Sequence, residues 1–260
     1  MDEPALELTG VSKSFLVPHA RRSRLKEYFA HPLDSRGHDR NDALRDISLT
    51  VPRGEFLSVI GRNGSGKSTL LKVMAGIYRP DAGTVRVNGV LSPFIELGVG
   101  FNMELSARDN IQINGTLVGL TRREIADRLD EILEFAELER FVDQHLKNFS
   151  SGMLLRLGYA IAVQVPFDTL LVDEVLSVGD VDFQEKCFAT FEQMRAAGKT
   201  IVFVSHGLDA VRSFSDRVIL VEQGVLTATG PPDEIIDLYL AHVQTRESAE
   251  PAVYEGRASL

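Results

Sequence analysis

The chain of 260 residues contains a single cysteine, Cys187, which excludes an internal disulfide and suits a reducing compartment. Its place in a helical stretch predicts a packing role. No apolar run approaches the roughly 18–20 residues needed to cross a bilayer, so no segment is expected to span one. The N-terminus, Met1-Asp2-Glu3-Pro4, is acidic and lacks the cationic start of a secretory signal. Basic residues are in deficit, 28 Lys and Arg against 37 Asp and Glu, for a formal net charge of −9. Without a basic stripe, nucleic acid is not an expected partner. Internal repeats and low-complexity tracts are absent as well. What is present is an ordinary globular composition, 44% apolar and 25% charged. The length suits one large domain or two small ones.

Along the chain, Leu6, Leu8 and Val11, with Phe15 close behind, mark residues 5–17 as a strand and its exit. A polar, basic segment, 18–42, reads as an insertion. Ser23 to Phe29 suits a short amphipathic helix, and His31-Pro32 and Ser35 to His38 suit loop. Strands are expected again over 43–60, broken by the turn Pro52-Arg53-Gly54, and over 83–87 before the tight-turn pair Asn88-Gly89. From about 104 to 165 the spacing becomes helical. Thr121 and Glu124 form a capping-box pattern ahead of Ile125, Leu129, Ile132 and Leu133. An α-helical subdomain inserted into an α/β core is the resulting expectation. Strands at 169–173, 200–204 and 217–221 alternate with helices at about 182–196 and 207–213. A last helix is expected from Pro232 to Val243, and 244–260 read as a frayed tail.

The most informative run is Gly61-Arg62-Asn63-Gly64-Ser65-Gly66-Lys67-Ser68-Thr69. It fits G-x-x-x-x-G-K-[ST], follows a buried-strand pattern (Glu55 to Ile60) and precedes a helix former (Leu70 to Ala75). Glycines let successive backbone N–H groups converge on one phosphate, and the helix dipole adds to that field. In this setting Lys67 would reach the β- and γ-phosphates and the Ser68 hydroxyl would coordinate Mg²⁺. A nucleoside triphosphate is the expected ligand.

Three further segments suit hydrolysis of that ligand. Thr169 to Glu174 is an apolar run ending in two carboxylates, and C-terminal strand ends face the ligand crevice of a parallel sheet. Asp173 would support Mg²⁺, directly or through water, and Glu174 would polarise the attacking water. Thr200 to His206 repeats the device and offers His206 to the γ-phosphate from a neighbouring strand. Phe149-Ser150-Ser151-Gly152-Met153 places small polar residues at the start of a helix, which makes a second anion site.

Together these segments resemble the ATP-binding cassette (ABC) family of transporter ATPases over roughly residues 5–240. The glycine loop is similar to its Walker A motif, 169–174 to Walker B, 149–153 to the signature motif, Ser177 to Asp180 to the D-loop and His206 to the switch histidine. The resemblance implies a nucleotide-binding domain over 5–243: an α/β core with a mixed sheet, an antiparallel β subdomain and the helical insertion. It implies ATP and Mg²⁺ as cofactors. It also implies a homodimer in which Ser150, Ser151 and Gly152 of one copy act on the ATP of the other, and it makes Asp180 a nucleotide-binding residue. Phe15 is placed like the aromatic that stacks on adenine, with Tyr28 and Phe29 as alternatives.

The chain departs from the general family in two places. Its signature has Ser151-Gly152-Met153 in place of a Gly-Gly pair followed by Gln. The stretch Phe94 to Asn102 lacks the usual glutamine, leaving Glu96 as the nearest polar candidate. With the early insertion around Arg24 to Glu27, these departures resemble the ATPase subunits of bacterial polysaccharide exporters. That implies a separate membrane-spanning permease as partner, a lipid-linked glycan (O-antigen, galactan, capsule or teichoic acid) as cargo, and a place at the cytoplasmic face of the inner membrane. Some members append a carbohydrate-binding domain, which this chain is not expected to carry. The basic insertion, with Arg21, Arg22, Arg24 and Lys26, is open to two readings, a solvated loop or a contact with anionic headgroups. The alternatives are the ATPase of an importer or drug exporter and, further off, a soluble ABC ATPase or a degenerate nucleotide-binding module.

Overall fold

The computed structural model describes residues 3–18, 38–94, 100–117, 119–164, 166–173 and 181–249. Among these, nine strands form two sheets. The smaller is antiparallel, with β1 (Leu6–Pro18) between β2 (His38–Val51) and β4 (Ala82–Val87). The larger has the order β5-β6-β7-β3-β8-β9. Its members are β3 (Phe56–Ile60), β5 (Leu91–Phe94), β6 (Thr169–Asp173), β7 (Thr200–Val204), β8 (Arg217–Glu222) and β9 (Val225–Gly230). All neighbours are parallel except β8 and β9, which form a hairpin. The sheet is therefore mixed, as expected.

The parallel strands read as unbroken apolar runs because both of their faces are covered. Alternation divides each strand between two cores. Phe56, Ile60, Ile201 and Phe203 face one side, and Leu57, Val59, Val202 and Val204 the other. The second face is closed by the small sheet and by α1 (Lys67–Met74), whose Leu70, Leu71, Val73 and Met74 are buried. The first is covered by α5 (Val181–Ala196), α6 (Leu208–Phe214) and α7 (Pro232–Ala249). Each fully buried Phe or Leu contributes about 1.5–3 kcal/mol. Cys187 is one of these packing residues on α5, and burial pushes its thiol up to about 12.

A third core lies among α2 (Ala107–Leu117), α3 (Arg122–Ala136) and α4 (Ser151–Gln164). This helical unit is inserted in the chain between β5 and β6, which remain neighbours in the sheet. Its α3 starts where the capping box put it: Thr121 Oγ1 accepts from the Glu124 N–H at 3.3 Å, and the Glu124 carboxylate accepts from the Thr121 N–H at 2.8 Å. No described helix is long and apolar enough to cross a membrane.

Three expectations need correction. His38 is not loop, and the end of the 18–42 insertion is strand, because β2 begins at His38 and pairs back to Pro18 along β1. The polar side chains of 38–42 gave no apolar alternation, but an edge ribbon needs only its backbone ladder. The last helix does not stop at Val243 but runs to Ala249. Nothing in 244–249 breaks a helix, and Thr245 donates back to the Ala241 carbonyl at 2.8 Å. Finally, Asn88-Gly89 joins the two sheets, since β4 pairs with β1 and β5 with β6.

Candidate functional site

The glycine loop leaves the C-terminal end of β3 and enters α1 within six residues. Two glycines are required by close approach. At Gly61, φ is 149° and a Cβ would stand 2.2 Å from the Val221 carbonyl oxygen; at Gly66, φ is 110° and a Cβ would stand 2.5 Å from that of Ala43. Gly66 caps α1 without any side-chain hydrogen bond, and the first turn holds no acidic residue. The N–H groups of that turn therefore remain donors for an anion.

Lys67 is only 6% exposed and curls over the loop, its Nζ donating to the carbonyls of Gly61 at 2.7 Å and Arg62 at 2.9 Å. Ser65 is buried as well, and its Oγ has no hydrogen-bond partner among the described residues. A buried hydroxyl beside an uncapped helix and a lysine makes a donor set suited to phosphate oxygens. Arg62, Asn63, Gly64 and Ser68 are exposed, and Thr69 is half-buried.

A cavity of about 740 Å³ opens over this loop. Lys67, Ser68, Thr69 and His206 all line it. Phe15 stands at the wall formed by the β1–β2 ribbon, where it pairs across the ladder with Asn41. The Phe15 ring meets Tyr78 edge-on at 5.3 Å, with the Lys13 ammonium 5.6 Å from its centre. Asp81 fixes this corner by accepting from Lys13 Nζ at 2.8 Å and from the Ser14 N–H and hydroxyl at 2.7 and 2.9 Å.

Those bonds, led by that of Lys13, lower the Asp81 carboxyl from 3.8 to about 2. The sign follows: the tether is complete above pH 3.8, is lost as pH falls through about 2, and is intact at neutral pH. Asp81→Ala should therefore release Phe15 at any working pH. With adenine expected to stack on Phe15, nucleotide affinity, measured by titration calorimetry, should fall roughly threefold to tenfold, the scale of a weakened aromatic stack.

Asp173 ends β6, half-buried, with Val204 of β7 as its register partner. Two residues past Val204 comes His206, so β6 and β7 deliver their polar groups at the same sheet edge as the loop of β3. Ser150, Ser151 and Gly152 lie elsewhere. Ser150 caps α4 by accepting from the Met153 N–H at 3.2 Å, and none of the three lines the cavity. Glu174 and Asp180 lie outside the described residues, as do Glu96, Tyr28, Phe29 and the basic cluster Arg21, Arg22, Arg24 and Lys26.

Sequence reasoning missed one wall of the cavity, made by Ala43 and Arg45 of β2 and by Gly224 in the β8–β9 turn. The Gly224 N–H donates to the Ser65 carbonyl at 2.8 Å, and its own carbonyl accepts from the Arg45 N–H at 2.7 Å. The pair Gln223-Gly224 is a turn signal, but its meeting with the glycine loop is a long-range event. Asp173 and Ser68 offer the hard oxygen ligands that Mg²⁺ takes, and the donors of the loop and Lys67 suit a polyphosphate.

The sequence profile of the family described as ABC transporter matches residues 44–177. The O-antigen export system ATP-binding protein RfbB of Klebsiella pneumoniae is 42% identical over 243 residues, covering 91% of this chain and 98% of that protein. The teichoic acids export ATP-binding protein TagH of Shouchella clausii is 40% identical, covering 91% of this chain and 65% of its own length. Among solved structures, the ATP-binding cassette MJ0796 bound to ADP and phosphate superposes with a TM-score of 0.71. At 22% identity over 87% of this chain and 98% of that one, it speaks for the fold.

Proposed function

The chain belongs to the ABC transporter family, and on that premise we propose that it is the ATP-hydrolysing subunit of an exporter of lipid-linked polysaccharide. It works as a homodimer beneath a separate membrane-spanning permease, at the cytoplasmic face of a bacterial inner membrane. The observation that carries the ATPase reading is the single cavity that joins Phe15, the uncapped start of α1, Lys67 and His206. Similarity to RfbB and TagH along most of the chain supports the cargo class.

In this reading adenine stacks on Phe15, and the triphosphate lies along residues 61–69. Lys67 turns from the loop carbonyls to the β- and γ-phosphate oxygens. Ser68 and Asp173 would hold Mg²⁺, which supplies charge neutralisation at those oxygens. Glu174 takes a proton from water as its oxygen attacks the γ-phosphorus; the bond to the β,γ-bridging oxygen breaks, and ADP and phosphate leave. His206 orients the γ-phosphate. Ser150, Ser151 and Gly152 belong to the partner's nucleotide, which accounts for their distance from the cavity of their own chain. Asp180 takes its place at the same dimer junction. Two ATP molecules, each held from both sides, close the dimer, and loss of phosphate lets it open. The domain, expected over 5–243, is assigned from residue 5 to the end of α7 at Ala249, with the helical subdomain over about 104–165.

The test is to extract the native complex in mild detergent and identify what copurifies. Recovery of a multi-spanning membrane protein together with lipid-linked glycan, and ATP turnover stimulated by that glycan, is the expected result. A permease that takes its substrate from a binding protein would leave the ATPase in place and remove the polysaccharide.

A further inference from the structure

Glu137 stands one residue past α3 with φ at 60°, in the left-handed region that glycine enters freely and a side chain resists. Its carboxylate faces two other helices. Oε2 accepts from Arg156 Nη1 of α4 at 2.5 Å, and Oε1 accepts from Lys186 Nζ of α5. The Arg156 guanidinium also lies over the ring of Phe183 on α5, 5.0 Å from its centre. Phe183 in turn meets Phe135 of α3 at 5.9 Å and Tyr159 of α4 at 6.0 Å, both edge-on. Three helices thus join at one carboxylate.

Stability is a poor reason for a glutamate here. Glu137 and Lys186 are 45% and 42% exposed, and pairs open to water contribute little to folding. The backbone conformation is itself unfavourable, and strain retained in this way points towards function. Arg156, by contrast, is only 16% exposed and is held from both sides, by Glu137 and by the Phe183 ring. Lys186, and Arg156 with it, keeps the Glu137 carboxyl below its usual range, so the group is charged at neutral pH.

The location gives the junction its meaning. Arg156 lies little more than one helical turn beyond Ser150, Ser151 and Gly152, on the helix those residues begin. Lys186 and Phe183 lie in the first turns of α5, the next described element after β6 and Asp173. We propose that Glu137 is a positioning residue for ATP hydrolysis: by holding Arg156 and Lys186 together, it sets the helix that presents Ser150 to Gly152 against the helix that follows the Asp173 strand. The proposal rests on the reading that Ser150 to Gly152 complete the partner's ATP site.

The test uses the full chain with ATP and Mg²⁺. Glu137→Gly removes the carboxylate and relieves the left-handed backbone, so the variant folds and its melting temperature stays level or rises. Its kcat should fall roughly tenfold through misplacement of the signature helix, with ATP affinity unchanged. Lys186→Met, added to Glu137→Gly, should cost nothing further, since both changes open one junction. Wild-type kcat in Glu137→Gly would overturn the proposal, as would parallel losses of melting temperature, affinity and rate. Ser151→Ala in the unaltered chain separates the two levels. A rate that depends on Ser151 but ignores Glu137→Gly removes this inference alone; a rate that ignores Ser151 removes the reading beneath it as well.

Discussion

Glu174→Gln should leave ATP binding intact and lower turnover by about 10²–10⁴, the contribution of a general base. The amide matches the carboxylate in size but cannot take the proton of the attacking water. In the proposed mechanism residues 61–69 and Asp173 are untouched, so the nucleotide would still enter and its γ-phosphate would still be held from both copies. With hydrolysis removed, nothing opens the dimer, and the variant should elute as a dimer in ATP and as a monomer without it. Rapid-quench measurement of one turnover separates this from slow product release. Turnover at the wild-type rate would remove Glu174 from its role and point the search for a base to His206, which lines the cavity at this edge of the sheet.

Much of this site was legible because its parts are contiguous in sequence. Glycine, lysine and serine at fixed offsets between Ile60 and Leu70 specify a loop between a strand and a helix, and β3 and α1 form there. The apolar runs at β6 and β7 were equally plain, since strands covered on both faces carry no polar interruption until the residue at the crevice. Structure built from distant partners was not legible. Ala43 and Gly224 reach the glycine loop only because the β1–β2 ribbon and the β8–β9 hairpin fold onto it. Residues 38–42 form a strand whose pattern is polar, because an exposed ribbon needs a ladder and not a core. Glu137 shows the same limit at one residue. Nothing in Ala136-Glu137-Leu138 signals a left-handed backbone, and its two cations come from helices that follow much later in the chain.

Lys67→Ala should fail at the opposite step, by not binding nucleotide at all. The lysine donates to two neutral carbonyls of its own loop, which hold its ammonium beside the cavity. A triphosphate offers that charge far stronger acceptors, and charge-assisted bonds in a partly enclosed site are roughly twice as strong as neutral ones. Removing it should raise the dissociation constant for ATP about a hundredfold, about 2.8 kcal/mol at 1.4 kcal/mol per decade. Lys67→Arg should not restore affinity, because a bulky planar guanidinium does not fit where the native side chain is 6% exposed. The bond to the buried Gly61 carbonyl is lost as well, so the melting temperature should fall somewhat. Calorimetric titration well below the lower melting temperature isolates the effect on binding. Near-native affinity in Lys67→Ala would mean that the uncapped turn of α1 and the Ser65 hydroxyl carry the phosphates by themselves. Against that outcome stands the polyanion's charge, which backbone donors shared between loop and helix do not balance without a full cation beside them.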